Sequence, residues 1–131
     1  MKLLAYEVDK RSFLGIFNED ETWVYPISAA GMEYRSMKDL IREAGPSEME
    51  MLDYISKKAP GDVTGAAPVE EIKIVSPIPE PDQDIICLGI NYMDHAAESA
   101  RFQKEEFARP EKAIYFSKRV NRTNDPDGII P

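Results

Sequence analysis

Lys2-Leu3-Leu4-Ala5-Tyr6-Glu7-Val8, Ser12-Phe13-Leu14-Gly15-Ile16-Phe17 and Thr22-Trp23-Val24-Tyr25-Pro26-Ile27 are the runs on which the fold turns. Each is rich in aromatic and β-branched residues, and each is bounded by polar residues, Asp9-Lys10 after the first and Asn18 to Glu21 after the second. Short apolar runs between tight polar turns predict an antiparallel meander. The period then changes. Ser36, with Asp39 three residues on and Leu40-Ile41 behind it, predicts a short capped helix that Gly45-Pro46 stops. Ser47 repeats the signal, with Glu50 at the capping-box position, Met51, Leu52 and Ile55 inside, and Lys57-Lys58 at the negative end of the dipole. Two short helices on a small sheet make residues 1–60 a small α+β domain.

Ala59 to Pro68, rich in Gly, Ala and Pro, reads as a long loop. Val69 to Val75 alternates as a strand, and Pro77, Pro79 and Pro81 make a stiff extended connector. Residues 61–83 are thus expected to be a linker holding one strand, and residues 84–131 to begin a second domain. There Asp84 to Leu88 reads as a compact apolar strand ending at Gly89, Tyr92 to about Phe102 as a helix, Ala113 to Phe116 as a strand, and Asn121 to Gly128 as a polar loop.

Composition narrows the function. The chain has 131 residues, and 24 acidic against 16 basic side chains leave a formal charge of −8. Nucleic-acid affinity comes mostly from basic side chains that release counterions, so a nucleic-acid partner is not expected. No apolar run approaches the ~20 residues of a membrane span, and Glu7 follows the N-terminus too soon for a signal peptide. One cysteine, Cys87, excludes an internal disulfide and a cysteine-rich zinc site. One histidine, His95, excludes any mechanism that needs two imidazoles from one chain. No dinucleotide glycine fingerprint, phosphate-binding loop or nucleophile elbow is present. These features suit a soluble protein of the reducing cytoplasm and leave a carboxylate-held metal open.

Two acidic motifs are decoys. Glu48-Met49-Glu50 spells a metal pair, but on a helix positions i and i+2 point about 200° apart, so the residues read as helix surface. Asp125-Pro126-Asp127-Gly128 has the look of a calcium loop, yet Thr123 stands where its first ligand belongs, and a turn is the expectation. Asn121-Arg122-Thr123 spells a glycosylation acceptor and reads as a loop. Met32, Met37, Met49 and Met51 are expected to fill irregular packing gaps or an interface, and Cys87 and Trp23 to be buried packing.

Cys87-Leu88-Gly89-Ile90-Asn91-Tyr92-Met93-Asp94-His95-Ala96-Ala97-Glu98 resists so plain a reading. An apolar strand reaches Gly89, where the backbone can turn sharply, and polar side chains follow at once. His95 and Glu98 are three apart, which on a helix puts them on one face. A carboxylate beside an imidazole raises its basicity and fixes its tautomer, as a general base requires. The same spacing also describes an ordinary surface pair.

That run, with Pro77-Ile78-Pro79-Glu80-Pro81 before it and Arg109-Pro110-Glu111 and Phe116-Ser117-Lys118 after it, resembles the start of the catalytic domain of the fumarylacetoacetate hydrolase family. The carrying pattern is G-x-N-Y-x-x-H-x-x-E with F-x-K some twenty residues later. Asp125-Pro126 and Ile129-Ile130-Pro131 look like the loop and strand that follow, and residues 1 to about 60 resemble the small domain many members carry in front. The resemblance implies an α+β, mostly β chain: an N-terminal meander with two helices, then the beginning of a distorted β-roll. It implies an enzyme acting on small 1,3-dicarbonyl or 2-oxo acids by C–C hydrolysis, decarboxylation or keto–enol isomerisation, steps that include those of aromatic degradation. It further implies His95 and Glu98 as an acid–base dyad, Lys118 as a substrate-binding residue, a divalent cofactor ion, usually magnesium, and a homodimer. The family's metal ligands, an E-x-E pair and a later aspartate, are expected downstream of Pro131, so the chain reads as truncated, with the C-terminal part of its catalytic domain missing. The 131 residues alone are expected to hold no metal and to be inactive. The competing reading is a non-catalytic folding or assembly module, or a degenerate family member, with the methionine-rich helices as its contact surface.

Overall fold

The computed structural model describes residues 1–89 and 112–129. The chain is α+β and mostly β, with seven strands and two α-helices among the described residues. By contact it forms two units, Met1–Pro79 with Arg122–Pro131, and Glu80–Asn121; the sequence reading divides the chain instead at residues 60 and 83.

In the first unit, β1 (Leu3–Val8), β2 (Arg11–Phe17) and β3 (Trp23–Pro26) form the expected meander. Two further strands, β4 (Ala67–Pro68) and β5 (Lys73–Val75), complete a five-stranded antiparallel sheet in the order β4-β3-β2-β1-β5. The turn between β1 and β2 is two residues long, and Asp9 and Lys10 both have positive φ, 50° and 64°. A two-residue loop with both residues left-handed matches the right-handed twist of a hairpin. Pairing Leu3 with Ile16 and Tyr6 with Phe13 fixes the faces. Ile16 and Tyr25 point to the helices, and Leu4, Tyr6 and Val24 to the opposite face, where Ile72 and Ile74 cover them.

Helix α1 (Met37–Glu43) begins as expected, with the Ser36 hydroxyl accepting from the Asp39 N–H at 3.2 Å. Helix α2 (Pro46–Ser56) departs from expectation. It starts at Pro46 and not after Ser47, because proline lacks the N–H a first turn would leave unpaired and its fixed φ already suits the helix. The capping carboxylate is therefore that of Glu48, which accepts from the Gly45 N–H at 2.7 Å, and not that of Glu50. Leu40, Leu52 and Ile55 are buried against Ile16 and Tyr25, and each such side chain contributes about 1.5–3 kcal/mol. The Tyr25 hydroxyl donates to the Lys58 carbonyl at 2.8 Å, tying the sheet to the end of α2.

Ala59 to Pro68 does not run as a loop. Val63 is buried in the helix-side core, and Ala67 pairs with Val24, so the segment lays a short edge strand beside β3. Nothing in Ala-Pro advertises a strand; the partner edge supplies the preference. Met32 and Met37 are buried and Met49 packs on the same core, whereas Met51 is exposed. Trp23 packs partly buried beside them.

The second unit contains β6 (Ile85–Gly89) and β7 (Ile114–Lys118), paired antiparallel from Ile85 opposite Lys118 to Gly89 opposite Ile114. The helix expected over Tyr92 to Phe102 lies outside the described residues.

Candidate functional site

The β6–β7 hairpin presents the pattern singled out in the sequence. Side chains alternate across a strand, so the register puts Ile85, Cys87 and Gly89 on one face with Ile114, Phe116 and Lys118, and Ile86 and Leu88 on the other with Tyr115 and Ser117. Phe116 and Lys118 of the F-x-K motif therefore share the face of Gly89, the residue from which the polar run departs. A Cβ on Gly89 would meet Ile114 at 3.5 Å, ordinary contact, so crowding by the hairpin does not demand glycine there. Cys87 is half-buried, not the sealed packing residue expected, because among the described residues only β7 lies against its strand. Both faces are largely apolar and open: Phe116 is 51% exposed on the first, and Ile86 75% and Tyr115 66% on the second. Strands apolar on both faces are the mark of a sheet covered on both sides.

His95 and Glu98 lie outside the described residues, in the connection between Gly89 and Ile114. Lys118 is exposed at the far end of β7. It lies four positions along the strand from Ile114, about 14 Å. Among the described residues no three carboxylate, imidazole or thiol side chains converge, so none of them forms a centre for the implied ion. Glu48 and Glu50 in particular are not a pair, since Glu48 is engaged by Gly45 and by the Tyr34 hydroxyl, which donates to it at 2.6 Å. That hydrogen bond pushes the Tyr34 hydroxyl up to about 12, with burial and the charges of Glu48 and Glu43 adding to it, and it holds the Glu48 carboxyl below its ordinary value.

The first unit holds a cleft of about 510 Å³. Ala5, Leu14 and Val75 of the sheet line it together with Met32 to Ser36 and with Pro77, Pro79 and Arg122. Its charged lining balances Glu7 and Glu33 against Arg35 and Arg122, with Asp125 beside them.

Asp125 is the residue that sequence reasoning passed over. The Gly128 N–H donates to its carbonyl at 3.0 Å, which makes the expected turn. Its side chain, however, accepts from the Ser76 N–H at 2.9 Å and from Lys73 Nζ at 3.1 Å. The Ser76 amide first, then Lys73, hold the carboxyl below the usual aspartate value. Thr123 sits beside it: its N–H donates to the Pro79 carbonyl at 2.9 Å, its hydroxyl donates to the Ile78 carbonyl at 2.8 Å, and that hydroxyl also meets the Ser76 hydroxyl. Sequence separations of 44 to 52 leave no local signal for these contacts.

No family model matches the chain. In an alignment 128 residues long that covers 90% of this chain, it is 40% identical to the oxaloacetate tautomerase YisK of Bacillus subtilis (strain 168), and it spans 41% of that relative's length.

Proposed function

We propose that this chain, which belongs to the fumarylacetoacetate hydrolase family, is the N-terminal portion of an enzyme that interconverts keto and enol forms of a small 2-oxo acid. The 40% identity to an oxaloacetate tautomerase over nine-tenths of the chain carries the reading and favours isomerisation over hydrolysis or decarboxylation. His95 accepts the proton from the carbon next to the carbonyl, and the same proton, returned at oxygen, gives the enol. Glu98 holds the imidazole in the tautomer that can accept and offsets the charge it gains. Lys118 carries a cation on the face of β7 that also holds Phe116 and pairs with the substrate carboxylate. A divalent ion, magnesium by family resemblance, would stabilise charge on the enolate oxygen. The family's ligands for that ion are expected downstream of Pro131. The same reading makes the working form a cytoplasmic homodimer.

The test uses the protein at the length of its relative, with oxaloacetate as substrate. His95→Ala is expected to lower kcat by about 10²- to 10⁴-fold, the usual worth of a general base, with metal affinity nearly unchanged. An unchanged kcat removes His95 from the mechanism. Turnover of oxaloacetate by the isolated 131 residues with magnesium would overturn the expectation that they are inactive alone.

A further inference from the structure

β5 is an edge strand of three residues, and the segment Arg122–Gly128 lies along its open side without forming a ladder with it. Side chains take the ladder's place. Asp125 presents its two carboxylate oxygens to the Ser76 N–H and to Lys73 Nζ, as the carbonyl of a neighbouring strand would meet an outward amide. Thr123 secures the opposite end through Ile78, Pro79 and Ser76. Ser76 is 7% exposed, so its amide could not exchange its partner for water without local opening. These same residues are the points at which the chain leaves the first unit, at Pro79, and returns to it, at Arg122.

We propose that Thr123 and Asp125 form a side-chain latch that binds the two crossings together and caps the edge of β5, so that the point where residues 80–121 leave and rejoin the first unit is held shut by that unit's own side chains. The latch stands on the contacts above whether or not the dyad is catalytic; only the importance of what it closes rests on the proposed function. Fixing the crossings within hydrogen-bond distance takes the closure entropy of a loop of more than forty residues out of the loop's own ordering. The N-terminal unit thereby acts as a clamp. Opening it releases the edge of β5 and the base of the loop in one local step, below the free energy of global unfolding.

Two measurements on the 131-residue chain test this. In native-state hydrogen exchange, Asp125→Ala is expected to speed exchange at Ser76 and Thr123 by about tenfold or more, with amides of Leu4 and Ile16 unchanged. Limited trypsin cleavage after Arg122 should accelerate by a similar factor, with cleavage after Arg42 as the internal control. Thr123→Val should act in the same direction, and Asp125→Asn, which keeps an acceptor for Ser76 but loses the charge facing Lys73, should fall between. A Ser76 amide that exchanges freely in the unaltered protein overturns the latch. So does an Asp125→Ala variant in which Ile16 accelerates as much as Ser76, since the residue would then support the whole fold and not the neck.

Discussion

Gly15 lies in β2 between Leu4 of β1 and Pro26 of β3, and replacing it with alanine tests whether the sheet is packed as described. An added Cβ would lie 2.8 Å from Tyr6 Cε1, 2.9 Å from the Tyr25 carbonyl oxygen and 2.9 Å from Val24 Cγ1. Ordinary contacts between such atoms lie near 3.5–4.0 Å, so each of the three has to give by more than half an ångström. The tyrosine ring has some freedom, but the carbonyl is fixed by the pairing of Ile16 with Tyr25 and of Gly15 with Pro26. Overpacking of this kind costs about 1–3 kcal/mol, and a clash with backbone belongs in the upper half of that range. Alanine also restricts the unfolded chain, which returns about 0.4–1 kcal/mol. The net loss is about 1–2.5 kcal/mol, which lowers the Tm by roughly 5–20 °C for a unit of this size. Thermal and urea unfolding of Gly15→Ala beside Gly61→Ala isolates the clash, because nothing lies within 4 Å of a Cβ at Gly61. Gly61→Ala is expected to melt at or slightly above the unaltered protein. If Gly15→Ala melts there too, the three strands do not approach as described.

At the first hairpin, Lys10 occupies a left-handed position, φ 64°, that glycine adopts without a Cβ penalty. Lys10→Gly should therefore raise stability by about 0.5–1 kcal/mol in urea unfolding, and a loss would mean that the turn is not of this type. At the helix pair, the folded pKa of Tyr34 stands above the ordinary tyrosine value, so its contribution is fully present below about pH 10 and is lost as pH rises through about 12. The ring signals of Tyr34 should titrate near that upper value, and Glu48→Gln should bring the midpoint down; a midpoint that Glu48→Gln leaves in place would exclude the hydrogen bond as its cause.

Local patterns were legible and distant partnerships were not. The alternation of Leu4, Tyr6, Phe13 and Val24 with their core-facing neighbours announces three strands, and Ser36 with Asp39 announces a helix start, because each signal lies within a few residues. Gly45-Pro46 was half legible. The pair ends one helix, and the same missing N–H that makes proline a poor continuation makes it a good beginning for the next. The strand at Ala67-Pro68 had no signal of its own, since the edge of β3 confers it. The methionines followed their usual role for Met32, Met37 and Met49, while Met51 faces outward because α2 buries Leu52 and Ile55 on the side that meets the sheet. The candidate site divides in the same way. The chemistry of His95 and Glu98 is spelled by residue type and spacing, and Lys118 by the motif around it. Asp125 looked like a turn residue because its partners, Lys73 and Ser76, are some fifty positions away.

The neck has a consequence for protein engineering. The Thr123 N–H and the Pro79 carbonyl already form a hydrogen bond, so a bridge of two or three residues can join the crossings with little rearrangement. Residues 80–121 are in that sense a cassette whose two ends meet at one point of the first unit, the point at which foreign loops of similar span can be grafted.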